Sequence, residues 1–151
     1  MKPMKSMKLL LAIVASFALG VLVTAAGVHT KVHYVGHDKV TSTMVKGGPI
    51  IEDNGLVVLA NRATQRGAEM HDKTNHLFII VEGEATFVTG GKLINAKVIS
   101  PGQTRADGIE GGESHQLSKG DVIAIPANTP HWWKDTSKTG SVGYYAVNIE
   151  Q

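Results

Sequence analysis

The sequence predicts an all-β fold, a barrel or sandwich of short strands, and three observations lead to that expectation. First, apolar and β-branched residues fall into short runs of about four to eight, as in strands. Second, 17 glycines and 5 prolines interrupt these runs often enough to supply the turns between them. Third, beyond the N-terminal segment no stretch of ten residues has the apolar period of a helix. A chain of 151 residues suits one domain of this kind.

The N-terminal segment has the pattern of a signal peptide. A lysine-containing start is followed by an uninterrupted run of apolar or small residues, 9–23, and then by small residues at 24–27. Secretory signals have this order of segments, so residues 1–26 are expected to be removed by cleavage after Ala25 or Ala26. The alternative is an uncleaved membrane anchor, because the apolar run is only slightly short of a full span. In both cases we expect the folded part to be periplasmic or secreted, with no other contact to a membrane.

Removing this segment changes what the charge of the chain implies. The whole chain has 15 basic and 13 acidic residues, a net charge of +2, but three of its lysines lie at positions 2, 5 and 8. Without them 12 basic residues face 13 acidic ones, so nucleic-acid binding has no support and is not expected. The chain also has no cysteine, which excludes disulfide bonds and thiolate metal ligands.

Beyond the signal peptide the chain is expected to consist of an N-terminal arm, 27–48, and a barrel domain, 49–151. Alternating apolar residues at 31–35 predict a short strand within the arm. Gly47-Gly48-Pro49 ends the arm, because glycine and proline interrupt regular structure.

The barrel domain contains a series of predicted strands and one predicted loop. Residues 76–88 are rich in β-branched and aromatic residues and are predicted to form a hairpin with its turn at 82–84. The stretch 101–113 is rich in glycine and proline, which predicts a loop. Further strands are predicted at 56–60, 97–100, 122–125 and 143–149.

Three histidines and a glutamate offer ligands of the kind that transition metals bind. Glu69 and His71 are two residues apart, so on a strand their side chains point to the same face. His76 begins the next predicted strand, and His131 follows a turn that contains two prolines. Imidazole nitrogens with a nearby carboxylate are typical ligands of Zn, Mn, Fe, Ni or Cu. The alternative is structural, in which the histidines cap strand ends, and spacing alone does not bring the four residues together.

Two stretches resemble the two sequence motifs of the cupin family. Gly67–Gly83 is similar to the first motif, in which two histidines one residue apart precede a glutamate and a glycine. Here Glu69 stands in the position of the first histidine and His76 in that of the glutamate. The stretch Gly120–Asp135 is similar to the second motif, with matching residues at Gly120, Pro126 and His131.

The resemblance implies a double-stranded β-helix, the jelly-roll barrel of cupins, with a metal bound inside one end. The expected cofactor is one divalent transition metal, Zn, Mn, Fe, Ni or Cu. Because small cupins with one pair of motifs commonly form dimers, a homodimer is expected as well. The implied metal ligands are His71, His76 and His131, with Glu69 as the candidate fourth.

Other residues are candidates for acid–base chemistry or for the wall of a pocket. His115, next to the predicted loop, and Tyr145 or its neighbour Tyr144 are candidate proton donors or acceptors. Trp133 shares a strand face with His131, and either lines the pocket or packs in the core or a subunit interface. Three arginines are candidates for contact with an anionic substrate, although surface positions are the default expectation: Arg62, Arg66 and Arg105.

Two functions of different classes are consistent with these residues. The first is an extracytoplasmic metalloenzyme that acts on a small organic molecule through oxygenase, lyase or isomerase chemistry, among which the sequence does not choose. The second is a non-catalytic cupin that binds a sugar, a small acid or a metal. Fold alone does not separate the two, because function depends on the site.

Overall fold

The structure, a computed structural model, describes residues 31–151, and its strands follow the alternation of apolar residues in the sequence. In Thr74–Glu82, one of the two nine-residue strands, every second side chain from Thr74 to Ile80 is buried. His76 therefore lies on the same inward face as Phe78 and Ile80. The expected signal peptide, 1–26, and the start of the expected arm lie outside the described residues.

Strands are numbered in chain order and form two larger sheets and one small one, and all their pairings are antiparallel. In spatial order the first sheet consists of β1 (Gly48–Asp53), β2 (Leu56–Ala63), β13 (Val142–Glu150), β4 (Thr74–Glu82) and β11 (Val122–Ile125). The second consists of β10 (Glu113–Ser118), β5 (Glu84–Thr89), β12 (His131–Asp135), β3 (Ala68–His71), β8 (Gln103–Ala106) and β7 (Lys97–Ser100). The third pairs β6 (Lys92–Ile94) with β9 (Gly108–Glu110).

Side chains from both large sheets form the main hydrophobic core. Trp133 and Phe87 are its largest fully buried members, and the rings of Trp133 and Phe78 stack with centroids 5.8 Å apart. Trp133 is thus a core residue, which was one of the roles considered for it. The core members are Ala63, Phe78, Ile80, Ala85, Phe87, Leu117, Ile125, Trp133, Val142, Tyr144 and Ala146.

The turn predicted at 82–84 is present, but the hairpin is wrong, because β4 and β5 belong to different sheets and the single residue Gly83 carries the chain from one to the other. Gly83 has a φ of 78°, a left-handed conformation that favours glycine. A Cβ at this position would also lie only 2.3 Å from the backbone oxygen of Ser141. The turn therefore requires glycine both for its backbone angle and for the close approach of a second segment.

The arm contains a helix, α1 (His37–Lys46), and not the predicted strand, since residues 32–36 have no regular structure. The expectation of no helix was therefore wrong. The less exposed residues Val40, Thr43 and Met44 form one short stripe at helical spacing, too brief to stand out in the sequence. A single buried side chain, Met44, packs near Gly143, so tertiary contact stabilises a helix that its own sequence supports only weakly.

The loop predicted at 101–113 is also wrong, because β8 and β9 lie within it. Both strands are very short, and the glycines and the proline of this stretch lie mostly in the turns between them. His115, predicted to lie beside that loop, is in the middle of strand β10. Within residues 31–151, no helix is long and apolar enough to cross a membrane.

Candidate metal centre

Three strands bring three histidines together at one end of the space between the sheets. His76 lies on β4 of the first sheet, whereas His71 and His131 lie on β3 and β12 of the second. The ring centroids of His71 and His76 are 4.8 Å apart, those of His76 and His131 5.1 Å, and those of His71 and His131 5.3 Å. The three residues that the motifs singled out thus form one cluster.

Each of these histidines directs one nitrogen to the cluster without a hydrogen-bond partner among the described residues. The atoms are Nδ1 of His71, Nε2 of His76 and Nε2 of His131, and all three are buried. One ligand atom from each residue lies within 4.8 Å of the others. Buried polar atoms are rarely left unsatisfied, so three of them at one point indicate a missing partner. A transition-metal ion fits as the partner of these nitrogens, because one such ion can be coordinated by three imidazoles at once.

The remaining ring nitrogens of two histidines are held in place by hydrogen bonds. Nδ1 of His76 donates to Oδ1 of Asn148 over 2.7 Å, and Nδ1 of His131 donates to the backbone oxygen of Thr129 over 2.9 Å. In this tautomer each Nε2 carries the lone pair that a metal needs. Burial lowers the pKa of His131 to about 4, although the bond to Thr129 opposes the shift. Burial lowers the pKa of His76 as well, so both rings are neutral at physiological pH.

Glu69 lies beside the three histidines with its carboxylate bound by two arginines. Oε1 accepts a hydrogen bond from Arg66 over 3.1 Å, Oε2 is 3.0 Å from Arg105 Nη1, and Oε1 is 3.7 Å from His131 Nε2. Burial by itself would raise the pKa of Glu69, but the positive charge of Arg66, with further contributions from His131 and Arg105, lowers it overall. Glu69 is therefore an ionised carboxylate at neutral pH, and its role as a metal ligand stays a prediction.

A cavity of about 240 Å³ adjoins the histidines, and both charged and polar side chains line it. The phenol of Tyr144 is 2% exposed, and burial raises its pKa, so it is a proton donor at neutral pH. Interactions with Asn61 and Arg66 oppose part of this rise in pKa. The lining residues are Leu59, Asn61, Arg66, Glu69, His71, His76, Phe78, Arg105, Tyr144, Ala146 and Asn148.

Residues 39–151 match the sequence model of the family described as Cupin. The chain belongs to the cupin family. Its two facing sheets are therefore the double-stranded β-helix that the motifs implied. No curated protein matches this cupin at a significant level.

Solved structures with a similar fold are distant in sequence and show the fold alone. A protein from Bacillus halodurans is 16% identical with a TM-score of 0.57, over 82% of this chain and 85% of that one. Hydroxypropylphosphonic acid epoxidase from S. wedmorenis in complex with fosfomycin is 19% identical with a TM-score of 0.56, over 87% and 67%. FeII HppE is 19% identical with a TM-score of 0.52, over 68% and 50%, so this chain spans about half its length.

Of the other candidate residues, His115, Tyr145 and Arg62 do not line the cavity. His115 is half-buried on β10, where its Nε2 is 2.9 Å from Oγ1 of Thr89. Tyr145 pairs with Ala60 on the face of β13 opposite to that of Tyr144, so Tyr144 is the tyrosine that lines the cavity. Arg62 donates to Ser141 and Glu82 at an exposed position outside the lining.

Asn148 was not among the predicted site residues, although it lies opposite His76 in the pairing of β13 with β4. A signal was present in the sequence. Asn148 follows Tyr144 and Ala146 at a spacing of two, so it is a polar residue on the inward face of an otherwise apolar strand.

Proposed function

We propose that this cupin binds a divalent transition metal through His71, His76 and His131 and acts on a small organic molecule outside the cytoplasm. The observation that carries the proposal is the convergence of three buried, unpartnered imidazole nitrogens next to a cavity. Cavities with a few convergent polar groups are the usual binding sites of small molecules.

The ligand set determines what chemistry a metal would supply there. Three protein ligands leave coordination positions open, so the bound metal supplies a Lewis acid that a small molecule or water can reach. Nitrogen ligands suit Zn, Mn, Fe, Ni and Cu, and we propose one ion of this group. Oxygenase, lyase and isomerase reactions are all compatible with such a centre.

Two residues in the cavity have defined proton states. Tyr144 is a buried phenol with a raised pKa, so it donates a hydrogen bond to the bound molecule. Glu69 is ionised, but both of its oxygens interact with arginines, which makes it a weak proton acceptor. A hydrogen-bond donor next to a weak proton acceptor suits binding better than proton transfer. These proton states therefore support the second candidate function, a non-catalytic cupin that binds a sugar, a small acid or a metal.

Elemental analysis of the mature protein, purified without a histidine tag, tests the metal centre. We expect about one equivalent of a transition metal, and a large loss in the His131→Ala variant. His37→Ala is the matched control, because His37 is an exposed histidine on α1 and its replacement should leave the metal content unchanged. Less than roughly a tenth of an equivalent after reconstitution would reject the centre.

Turnover separates the enzyme from the binding protein. The metal-loaded protein is mixed with candidate small molecules, and oxygen uptake and solvent deuterium exchange are recorded. Oxygen uptake reports oxygenase chemistry, and exchange at carbon reports lyase or isomerase chemistry. Saturable binding without either signal would favour the non-catalytic cupin.

We further propose export and self-association, which the sequence supports. N-terminal sequencing of the exported protein should begin at Ala26 or Gly27, whereas an uncleaved anchor would leave Met1 in place. For self-association, Val98 and Ile99 on strand β7 at the edge of the second sheet are 76% and 59% exposed, as in a strand that pairs with another chain. Light scattering that gives the monomer mass at all concentrations would exclude the homodimer.

A further inference from the structure

Two guanidinium groups line the cavity next to the histidines. Arg66 comes from the connection between β2 and β3, and Arg105 comes from β8. Their side chains are 38% and 48% exposed, so both remain accessible from solvent. They contact opposite oxygens of the same buried carboxylate, that of Glu69, at 3.1 and 3.0 Å.

These charges leave the cavity positive. Two guanidinium groups contact one carboxylate in the lining, so their formal charges leave one positive charge in excess before any metal binds. A divalent ion on three neutral ligands adds its full charge. Each guanidinium has five N–H donors, and the bond to Glu69 uses only part of them. The cavity therefore has both the charge and the donors to bind an anion.

Arg66 is held in position through its backbone and its head group. Its N–H donates to the backbone oxygen of Trp133, its backbone oxygen accepts from Trp132 Nε1, and its guanidinium donates to Oε1 of Glu69. At the next residue, a Cβ on Gly67 would lie 2.4 Å from the backbone oxygen of Ala106. This close approach fixes the connection that carries Arg66 against strand β8, which carries Arg105. An arginine that only contacts solvent needs no such support.

We propose that the small molecule bound at this centre carries an oxyanion, and that Arg66 and Arg105 bind it next to the metal. The inference rests on the proposed function, because it names the ligand class of the same cavity. A volume of about 240 Å³ lies below the range of roughly 300–1,000 Å³ for drug-sized ligands, which limits the molecule to a small acid. Carboxylates and phosphonates share the planar or forked oxygen pair that guanidinium binds through two hydrogen bonds.

The probes are malonate, its neutral analogue malonamide, and methylphosphonate, each titrated into the Co(II)-loaded protein. Co(II) binding is measured first by itself, from its visible absorption. We then expect malonate or methylphosphonate to bind, by calorimetry and by a change in the Co(II) spectrum, at least about tenfold more tightly than malonamide. Comparing the two anions separates a carboxylate from a phosphonate as the preferred group.

Variants assign the binding to the two arginines. Arg66→Gln and Arg105→Gln should each weaken binding of the preferred anion roughly 10- to 100-fold, while Co(II) affinity stays within about threefold. Arg62→Gln is the matched control, since it removes an arginine that pairs with Glu82 outside the cavity. Arg105→Lys keeps the charge and should restore part of the affinity, which shows that a loss in Arg105→Gln is not a loss of folding.

Each outcome decides one level of the proposal. Equal binding of malonamide and both anions, or no binding of either anion by the Co(II)-loaded protein, overturns the anion site and leaves the metal centre intact. Unchanged anion affinity in both glutamine variants overturns the role of the arginines. If the protein does not bind Co(II), the metal centre is rejected. If that protein still binds an anion without metal, the result supports the arginine pair.

Discussion

At the scale of single residues, His76 and His131 are two candidate metal ligands whose rings are oriented by hydrogen bonds. Each ring uses Nδ1 in one hydrogen bond, to Asn148 and to the backbone of Thr129 respectively, so Nε2 is left facing the cluster. Only one tautomer satisfies both requirements. The partners of the rings therefore belong to the site as much as the ligands do.

Removing the partner of His76 should weaken metal binding without abolishing it. We expect Asn148→Ala to lower metal affinity about 10- to 100-fold, because the His76 ring loses the acceptor that sets its tautomer. Asn148→Asp keeps an oxygen acceptor and should stay within a few-fold of the unaltered protein. Competition with a chelator of known affinity measures both variants. Equal affinities for Asn148→Ala and the unaltered protein would contradict the orienting role.

The motif positions predicted the histidines, but not what holds them. His71, His76 and His131 follow from residue type and spacing relative to the motif glycines and proline. The bond between His76 and Asn148 depends on which strand lies beside β4, and that strand is β13, in which Asn148 is 72 residues further along the chain than His76. Likewise, Arg66 and Arg105 meet only because β3 pairs with β8. Such pairings are long-range and leave no local signal.

At the scale of elements, the helix α1 shows that local sequence patterns do not by themselves determine the conformation of a segment. Its charges agree with the helix dipole, with Asp38 in the first turn and Lys46 in the last, yet each such effect is small. The contact of Met44 with the first sheet decides the conformation, and the sequence contains no sign of that surface. By contrast, β4 and β11 were predictable, because a buried sheet face imposes alternation or an apolar run.

The side chain beneath the helix should carry most of its stabilising energy. We expect Met44→Ala to lower the free energy of unfolding by about 2 kcal/mol, at the low end for buried methionine, because the site lies under one helix. Val45→Ala is the matched control, since Val45 is 72% exposed and its loss should cost less than about 0.5 kcal/mol. Urea denaturation measures both. Similar losses in the two variants would show that the helix does not depend on this contact.

At the scale of the whole molecule, the buried histidines make the stability of the metal-free protein depend on pH. The pKa of His131 is about 4 in the folded protein and 6.5 ordinarily, so the unfolded chain binds more protons in between. This contribution is fully present above pH 6.5 and is lost as the pH falls towards 4. The lowered pKa of His76 acts in the same direction.

Urea denaturation in the presence of a chelator tests this dependence. Between pH 6.5 and about 5, stability should fall with pH, and the slope should be shallower in His131→Gln. The slope is compared, not the absolute stability, because glutamine changes the packing as well. Identical slopes in the two proteins would mean that His131 does not titrate on unfolding.

Metal binding should stabilise the folded state as a whole. At a free metal concentration of 100 times Kd, the free energy of unfolding should rise by about 2.7 kcal/mol, because the ion binds only the folded protein. His131→Ala should show little of this gain, and a chelator should remove it from the unaltered protein. Thermal denaturation with and without metal gives the comparison, and an equal gain in His131→Ala would point to binding elsewhere.

The two sheets contribute unequal numbers of histidines, one from β4 and two from β3 and β12. An ion held by all three therefore connects the sheets across the mouth of the barrel, much as a covalent cross-link would. Opening the barrel at this end requires the ion to leave first. The metal should therefore lower the rate of unfolding more than it raises the rate of folding. In a compartment with proteases, the metal would lengthen the lifetime of the protein even while no small molecule is bound.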